Sequence, residues 1–227
     1  MYLQRTLNLK ECLAKKSHIL LGPRQTGKSL LIAKSFEKQY PIIDLLKTDV
    51  YLKLKQSPWH LENMLPSNAS HVIIDEIQKI PKLLNEVHRL IETKNIHFLL
   101  TGSSARKLRR QNINLLAGRA WQVKLFPLTF AEIADFDLNR YLLFGGLPSV
   151  YLSQYPEKEL DAYVDMYLKE EIQVEALVRK LPAFVRFLNT SAISSGQLLN
   201  FSKIAQDIQI SPNAVRDFPV CLGPSKI

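Results

Sequence analysis

The residues best equipped for chemistry form the run Gly22-Pro23-Arg24-Gln25-Thr26-Gly27-Lys28-Ser29, a complete G-x-x-x-x-G-K-S. Glycines let a backbone curl into a concavity whose N–H groups point at an anion, and a helix opening near Lys28 would add its positive end. Lys28 would bring a cation to the β- and γ-phosphates of a nucleotide, with the Ser29 hydroxyl a Mg²⁺ ligand. An ordinary Gly-rich turn is the plain alternative. Downstream, Val72-Ile73-Ile74-Asp75-Glu76 sets two acids at the carboxyl end of an apolar strand, where ligands bind in open α/β sheets. Asp75 would hold Mg²⁺, and Glu76 would orient and deprotonate an attacking water. An acid-rich helix start is the competing reading of this pair alone. A single Asp would serve a kinase or a GTPase as well; the adjacent Glu tilts the reading toward ATP hydrolysis.

Two further elements are less specific. Phe98-Leu99-Leu100-Thr101-Gly102-Ser103-Ser104 ends a strand with hydroxyls, and Ser103 or Thr101 could bond the γ-phosphate or the catalytic water. A Ser/Gly turn capping the next helix fits equally well, and the sequence does not separate the two hydroxyls. Arg119, after Leu116-Ala117-Gly118, is a candidate arginine finger acting in cis or from a neighbouring subunit. Arg24, Arg106, Arg109 and Arg110 are its rivals, and a plain surface arginine is the alternative.

These groups need a scaffold, and the hydrophobic pattern supplies one. Short apolar runs at His18–Leu21, Pro41–Leu45, His71–Asp75, Ile96–Thr101 and Ala120–Leu125 read as buried parallel strands. Helical patterns cover Leu3 to about Lys16, Ser29–Phe36 and the stretch after Pro81, where Leu83, Leu84, Val87, Leu90 and Ile91 make one stripe. Strands alternating with helices imply an α/β fold with a parallel sheet up to about residue 130. Beyond Pro127 the pattern turns helical, at Thr129–Phe136, Leu138–Phe144, Glu157 to about Lys180, Ala183–Ile193 and Phe201–Gln209.

Composition bounds the setting. The 227 residues are 46% hydrophobic and 22% charged, which excludes wholesale disorder. Cys12 and Cys221 form neither a disulfide framework nor a metal cluster, and no apolar run is long enough for a membrane helix, so a cytoplasmic protein without membrane contact is expected. The net charge of +9 favours polyanions such as nucleotides or nucleic acid without choosing among them.

The chain resembles the AAA-type ATPases of bacteria and archaea in which an AAA domain precedes a DUF4143 region. The resemblance rests on GPRQTGKS, VIIDEIQKIPKLLNEVHRLIE, FLLTGSSARKL, NLLAGRAWQVKLFPLTFAEI and YLLFGGLPSVY, spread over most of residues 15–155. It implies a P-loop core over residues 1–130 with strand order 5-1-4-3-2, bound ATP and Mg²⁺, and an interface or sensor role for Arg119. A helical region at 131–190 and a partial winged helix-turn-helix at 191–227 would follow.

That last segment starts like a DNA reader, with a helix from Phe201, a turn at Gln209-Ile210, and Ser211-Pro212 opening a recognition helix. Pro219 would stop this helix, since proline costs about 3 kcal/mol in a helix interior. The tail therefore reads as truncated or frame-shifted, which weakens the expectation of nucleic-acid binding. Three functions follow as expectations: an ATP-hydrolysing motor or switch, with an oligomer open to it; a nucleotide-gated nucleic-acid-binding or interaction protein; and a small-molecule or nucleotide kinase, against which the Asp75-Glu76 pair and the Thr101–Ser104 strand end argue.

Overall fold

The computed structural model describes residues 2–36, 39–102, 116–167, 181–193, 200–213 and 215–216. Five of its segments are strands: Ser17–Leu21 (β1), Ile42–Asp44 (β2), His71–Asp75 (β3), His97–Gly102 (β4) and Ala120–Lys124 (β5). They pair in parallel in the order β2-β3-β4-β1-β5, which is 5-1-4-3-2 from the other edge.

The alternation of side chains along each strand divides the core in two. Ile19, Leu21, Val72, Ile74, Phe98 and Leu100 face one side. There they meet Leu54 of α3 (Thr48–Gln56), Leu61 of α4 (His60–Asn63) and the Leu83, Leu84, Val87 and Leu90 stripe of α5 (Leu83–Lys94). Leu20, Ile73 and Leu99 face the other side, under Leu9 and Leu13 of α1 (Leu9–Lys15) and Leu31, Ile32 and Phe36 of α2 (Lys28–Phe36). With both faces covered, β1 is buried at all five positions; its polar residues are satisfied there, Ser17 Oγ accepting the Phe98 N–H at 2.9 Å and His18 Nδ1 lying 2.8 Å from the Lys16 carbonyl.

Three local expectations change. The first helix starts at Leu9, not Leu3: Asn8 caps it by accepting from the Glu11 N–H at 3.3 Å, and the preceding residues run extended because Arg5 and Thr6 are tied to Glu132. Helices α3 and α4 occupy a stretch where no element is read from the sequence. In place of a helix over Thr129–Phe136 there is a single 3₁₀ turn, Phe130–Glu132, closed by a capping box between Thr129 and Glu132. The chain then forms α6 (Leu138–Phe144) and α7 (Pro148–Tyr151). Leu125 N–H bonds the Leu21 carbonyl at 2.7 Å, and the Tyr141 hydroxyl bonds the Leu128 carbonyl at 2.8 Å.

The chain divides into two compact units, Met1–Pro156 and Glu157–Ile227. Within the second, α9 (Leu181–Ile193) and α10 (Phe201–Asp207) pack through Ala183, Phe184, Phe187, Ile204 and Ala205. Residue Gln209 turns the chain with φ 57°, after which residues 212, 213, 215 and 216 are helical and Val215 enters the same core. Helix α8 (Pro156–Tyr167) opens the helix read as reaching about Lys180; its continuation lies outside the described residues, as do Ser103, Ser104, Arg106, Arg109, Arg110 and the Pro219 tail. Among the described residues no helix is long and apolar enough to cross a membrane.

Candidate functional site

The Gly22–Ser29 loop leaves the carboxyl end of β1 and runs into α2, as a strand–loop–helix cradle requires. Its two glycines serve different purposes. A Cβ on Gly22 would overlap the Leu125 carbonyl oxygen, so that position is needed for close backbone approach. Gly27 has open space around it but φ 88°, a left-handed conformation that any other residue would strain to adopt. Gln25 also lies at positive φ, 61°, and its Oε1 accepts from the Ser149 hydroxyl at 2.7 Å. Thr26 is fully buried, its hydroxyl on the Pro23 carbonyl at 2.9 Å. Pro23 and Arg24 are partly buried on the loop.

Helix α2 begins at Lys28, whose ammonium curls back over the loop to donate to the Gly22 carbonyl at 2.8 Å and the Pro23 carbonyl at 2.9 Å. One residue on, the Ser29 hydroxyl donates to Asp75 Oδ2 at 2.9 Å. β3 delivers that carboxylate, and β4 secures it: the Thr101 hydroxyl donates to Asp75 Oδ1 and accepts the Glu76 N–H at 3.0 Å. Thr101 is completely buried, so both capacities of its hydroxyl are spent on the acid pair.

Glu76 does not continue the strand. Its backbone is left-handed, φ 61° and ψ 43°, which turns the chain sharply into the 3₁₀ turn Ile77–Lys79. Such a conformation costs a non-glycine residue about 1–2 kcal/mol and clusters at functional sites. The Gln78 side-chain amide donates to Glu76 Oε2.

Arg119 is elsewhere. β5 pairs with β1 from Ser17↔Ala120 to Leu21↔Lys124, so Arg119 lies at the end of the sheet remote from the loop, about 16 Å back along the strand direction from Lys124 at the usual rise. There its guanidinium pairs with Glu92 of α5. The structure thus gathers Lys28, Ser29, Asp75, Glu76 and Thr101 and leaves Arg119 apart.

Reading by motif missed a second layer. Arg5, its side chain 6% exposed, donates from Nη1 to the Thr26 carbonyl at 2.7 Å, from Nη2 to the Phe126 carbonyl at 2.6 Å, and from Nε to Glu132 Oε1 at 3.0 Å. Glu132 also accepts from the Thr6 and Thr129 N–H groups at 2.8 and 3.0 Å. Burial alone would raise its pKa; the Thr6 N–H, the Arg5 guanidinium and the Thr129 N–H outweigh burial and hold it down at about 2. The Thr129-x-x-Glu132 capping box was readable, but nothing local links it to Arg5.

Ser29 Oγ beside an Asp75 carboxylate is a hard-oxygen set of the kind Mg²⁺ takes, with phosphate and water oxygens completing the shell. Among the described residues no cluster of three or more His, Cys, Asp or Glu side chains is placed to hold a metal ion by itself.

Residues 14–134 match the AAA domain family AAA_14, and residues 135–222 match a domain of unknown function, DUF8612, in place of the DUF4143 region that the resemblance implied. An uncharacterized protein of Haemophilus influenzae is 26% identical over 91% of this chain and 58% of its own length. The uncharacterized protein MJ1544 of Methanocaldococcus jannaschii is 27% identical over 37% of this chain and 23% of its own. The chain therefore spans little more than half of the first relative and a quarter of the second. The Aeropyrum pernix ORC1 protein, solved in complex with DNA, superposes with a TM-score of 0.40 at 13% identity, over 94% of this chain and 80% of that one. The family match over more than half of the residues, with the strand order and the loop that leaves β1, carries the assignment: this chain belongs to the AAA domain family of nucleotide-binding ATPases.

Proposed function

We propose that the chain binds ATP with Mg²⁺ in the Gly22–Ser29 loop and hydrolyses it, working as a motor or conformational switch. The observation that carries this reading is the 2.9 Å bond between Ser29 Oγ and Asp75 Oδ2, which joins the loop helix to the acid-bearing strand where a metal–phosphate unit would sit. Backbone N–H groups of the loop and the Lys28 ammonium would bind the phosphates, while Ser29 and Asp75 would hold Mg²⁺. When bound, Mg²⁺ would supply neutralising charge to the phosphate oxygens. Glu76 would orient a water and take one of its protons on the carboxylate as the water oxygen bonds the γ-phosphorus. The bond from that phosphorus to the β–γ bridging oxygen breaks, and ADP leaves with the electron pair. Thr101 keeps Asp75 and the Glu76 backbone in register for this step. Ser103, which follows Gly102 in sequence and lies outside the described residues, is proposed as the hydroxyl that reports the γ-phosphate. Arg119 is too far from its own loop, so a catalytic part for it would be played on the nucleotide of a neighbouring copy.

The test is a pair of variants. Lys28→Ala should abolish ATP binding, and Glu76→Gln should bind ATP as the parent does while losing turnover. Equal ATP affinity in Lys28→Ala and the parent removes the loop assignment; parental phosphate release by Glu76→Gln removes the base.

A second reading adds nucleic acid as a partner of the same nucleotide switch. It is favoured by the packing of α10, the Gln209 turn and Val215, a helix-turn-helix core with Lys203 and Arg216 exposed. Duplex DNA affinity should then fall steeply as salt rises; a flat response leaves only the nucleotide function.

A further inference from the structure

The guanidinium of Arg5 touches three segments of the first unit, and one of them is the nucleotide loop. Its Nη1 holds the Thr26 carbonyl at 2.7 Å, its Nη2 the Phe126 carbonyl at 2.6 Å, and its Nε the Glu132 carboxylate at 3.0 Å. Both charged side chains are almost fully buried, at 6% and 3% exposure. A buried charge persists when it is paired and hydrogen-bonded, and here each of the three guanidinium nitrogens has a partner.

The Thr26 carbonyl belongs to the peptide whose N–H is that of Gly27. The unit is planar and trans, so fixing the carbonyl fixes the N–H in the opposite direction. Gly27, at φ 88°, has the conformational freedom to turn this peptide, and the Thr26 hydroxyl is engaged on Pro23 and cannot hold it. We propose that Arg5 is a positioning residue for the nucleotide loop: by gripping the Thr26 carbonyl it aims the Gly27 N–H at the phosphates, and through Glu132 it ties the loop to the segment after β5. The inference rests on the loop being the nucleotide site. Lysine would keep the charge but not the fork, and one ammonium cannot reproduce the planar set of contacts.

The experiment is calorimetric titration with Mg·ADP of the parent, Lys28→Ala, Arg5→Lys and Thr129→Ala, with Tm recorded for each. Thr129→Ala removes a hydroxyl bond to Glu132 and leaves Arg5 on Thr26, so it reports the cost of loosening this corner alone. Arg5→Lys should bind about tenfold more weakly than the parent; Thr129→Ala should keep parental affinity at a lowered Tm. A parent that does not bind Mg·ADP removes the nucleotide reading and this inference with it. A parent that binds, beside an Arg5→Lys protein of equal affinity, overturns the inference alone. Equal losses in Arg5→Lys and Thr129→Ala overturn it too, because the effect is then one of folding. The NMR resonance of Arg5 Nε–Hε in the parent gives a readout that no variant's folding can spoil. It should shift when Mg·ADP saturates the loop, and an unmoved resonance overturns the coupling.

Discussion

Ser29 and Asp75 stand 46 positions apart in sequence and 2.9 Å apart in space, hydroxyl to carboxylate. The contact exists because α2 starts immediately after the loop, so Ser29 is one residue into the helix, and because β3 ends on Asp75. Ser29→Ala removes one of the two side chains proposed to hold Mg²⁺. Its ATP affinity should lose about tenfold in the presence of Mg²⁺ and little in EDTA. Titrations with and without the metal measure this, and an equal loss in both assigns Ser29 to packing.

Thr101 spends its hydroxyl on Asp75 Oδ1 and the Glu76 N–H. Thr101→Val has the same shape and leaves both groups unpaired in the interior, at a cost of about 1–3 kcal/mol in unfolding free energy. Turnover should fall more than ATP affinity, because the acid pair loses its register while the loop is untouched. Thr101→Ser restores the hydroxyl and should recover most of the rate. Steady-state kinetics beside denaturant unfolding would test both halves.

Acid should unfold the first unit through Glu132. Its pKa is about 2 in the folded chain against an ordinary 4.5, so the unfolded state binds the proton more readily. The stabilisation is complete above pH 4.5 and is lost as pH falls toward 2, amounting to about 3 kcal/mol. Glu132→Gln should flatten the Tm–pH curve over that window. It should also lower Tm at neutral pH, since Arg5 is left as a buried charge without its partner, a loss of about 3–5 kcal/mol.

A second pH effect has the same sign but a different window. His71 and His97 begin neighbouring strands with rings 5.3 Å apart, and Tyr40 stacks on His71 at 4.7 Å. Burial, and then the neighbouring His97, push the His71 pKa below the ordinary 6.5. The unfolded chain takes up the proton first, so stability should drop as pH falls through 6.5. His71→Phe keeps a ring against Tyr40 and should remove the dependence. A midpoint that is flat from pH 7.5 to 5.5 in the parent (roughly one unit either side of the histidine range) would show that His71 contributes nothing.

What the linear chain determined is what short-range pattern can encode. The loop octet, the Asp75-Glu76 pair and the apolar runs of β1, β3 and β4 are each local, because a phosphate cradle needs consecutive backbone amides and a buried strand needs consecutive apolar side chains. Helix α5 was equally plain from its stripe. Helices α3 and α4 were not, since few of their residues reach the core: among α3 only Leu54 is buried, and among α4 only Leu61. The strand order came with the family resemblance, and the sheet agrees with it.

Only the tertiary structure decided which groups meet. Arg5 and Glu132 are 127 positions apart, and neither carries a local pattern that names the other. Thr101 and Ser103 were equivalent as sequence; for Thr101, burial against Asp75 and Glu76 assigns the hydroxyl to holding the acids. Arg119 follows a glycine turn, but the parallel register of β5 with β1 sets it at the far end of the sheet. In each case the cause is the same: local pattern selects an element, while the packing of elements distant along the chain selects the neighbours that make its side chains chemically useful.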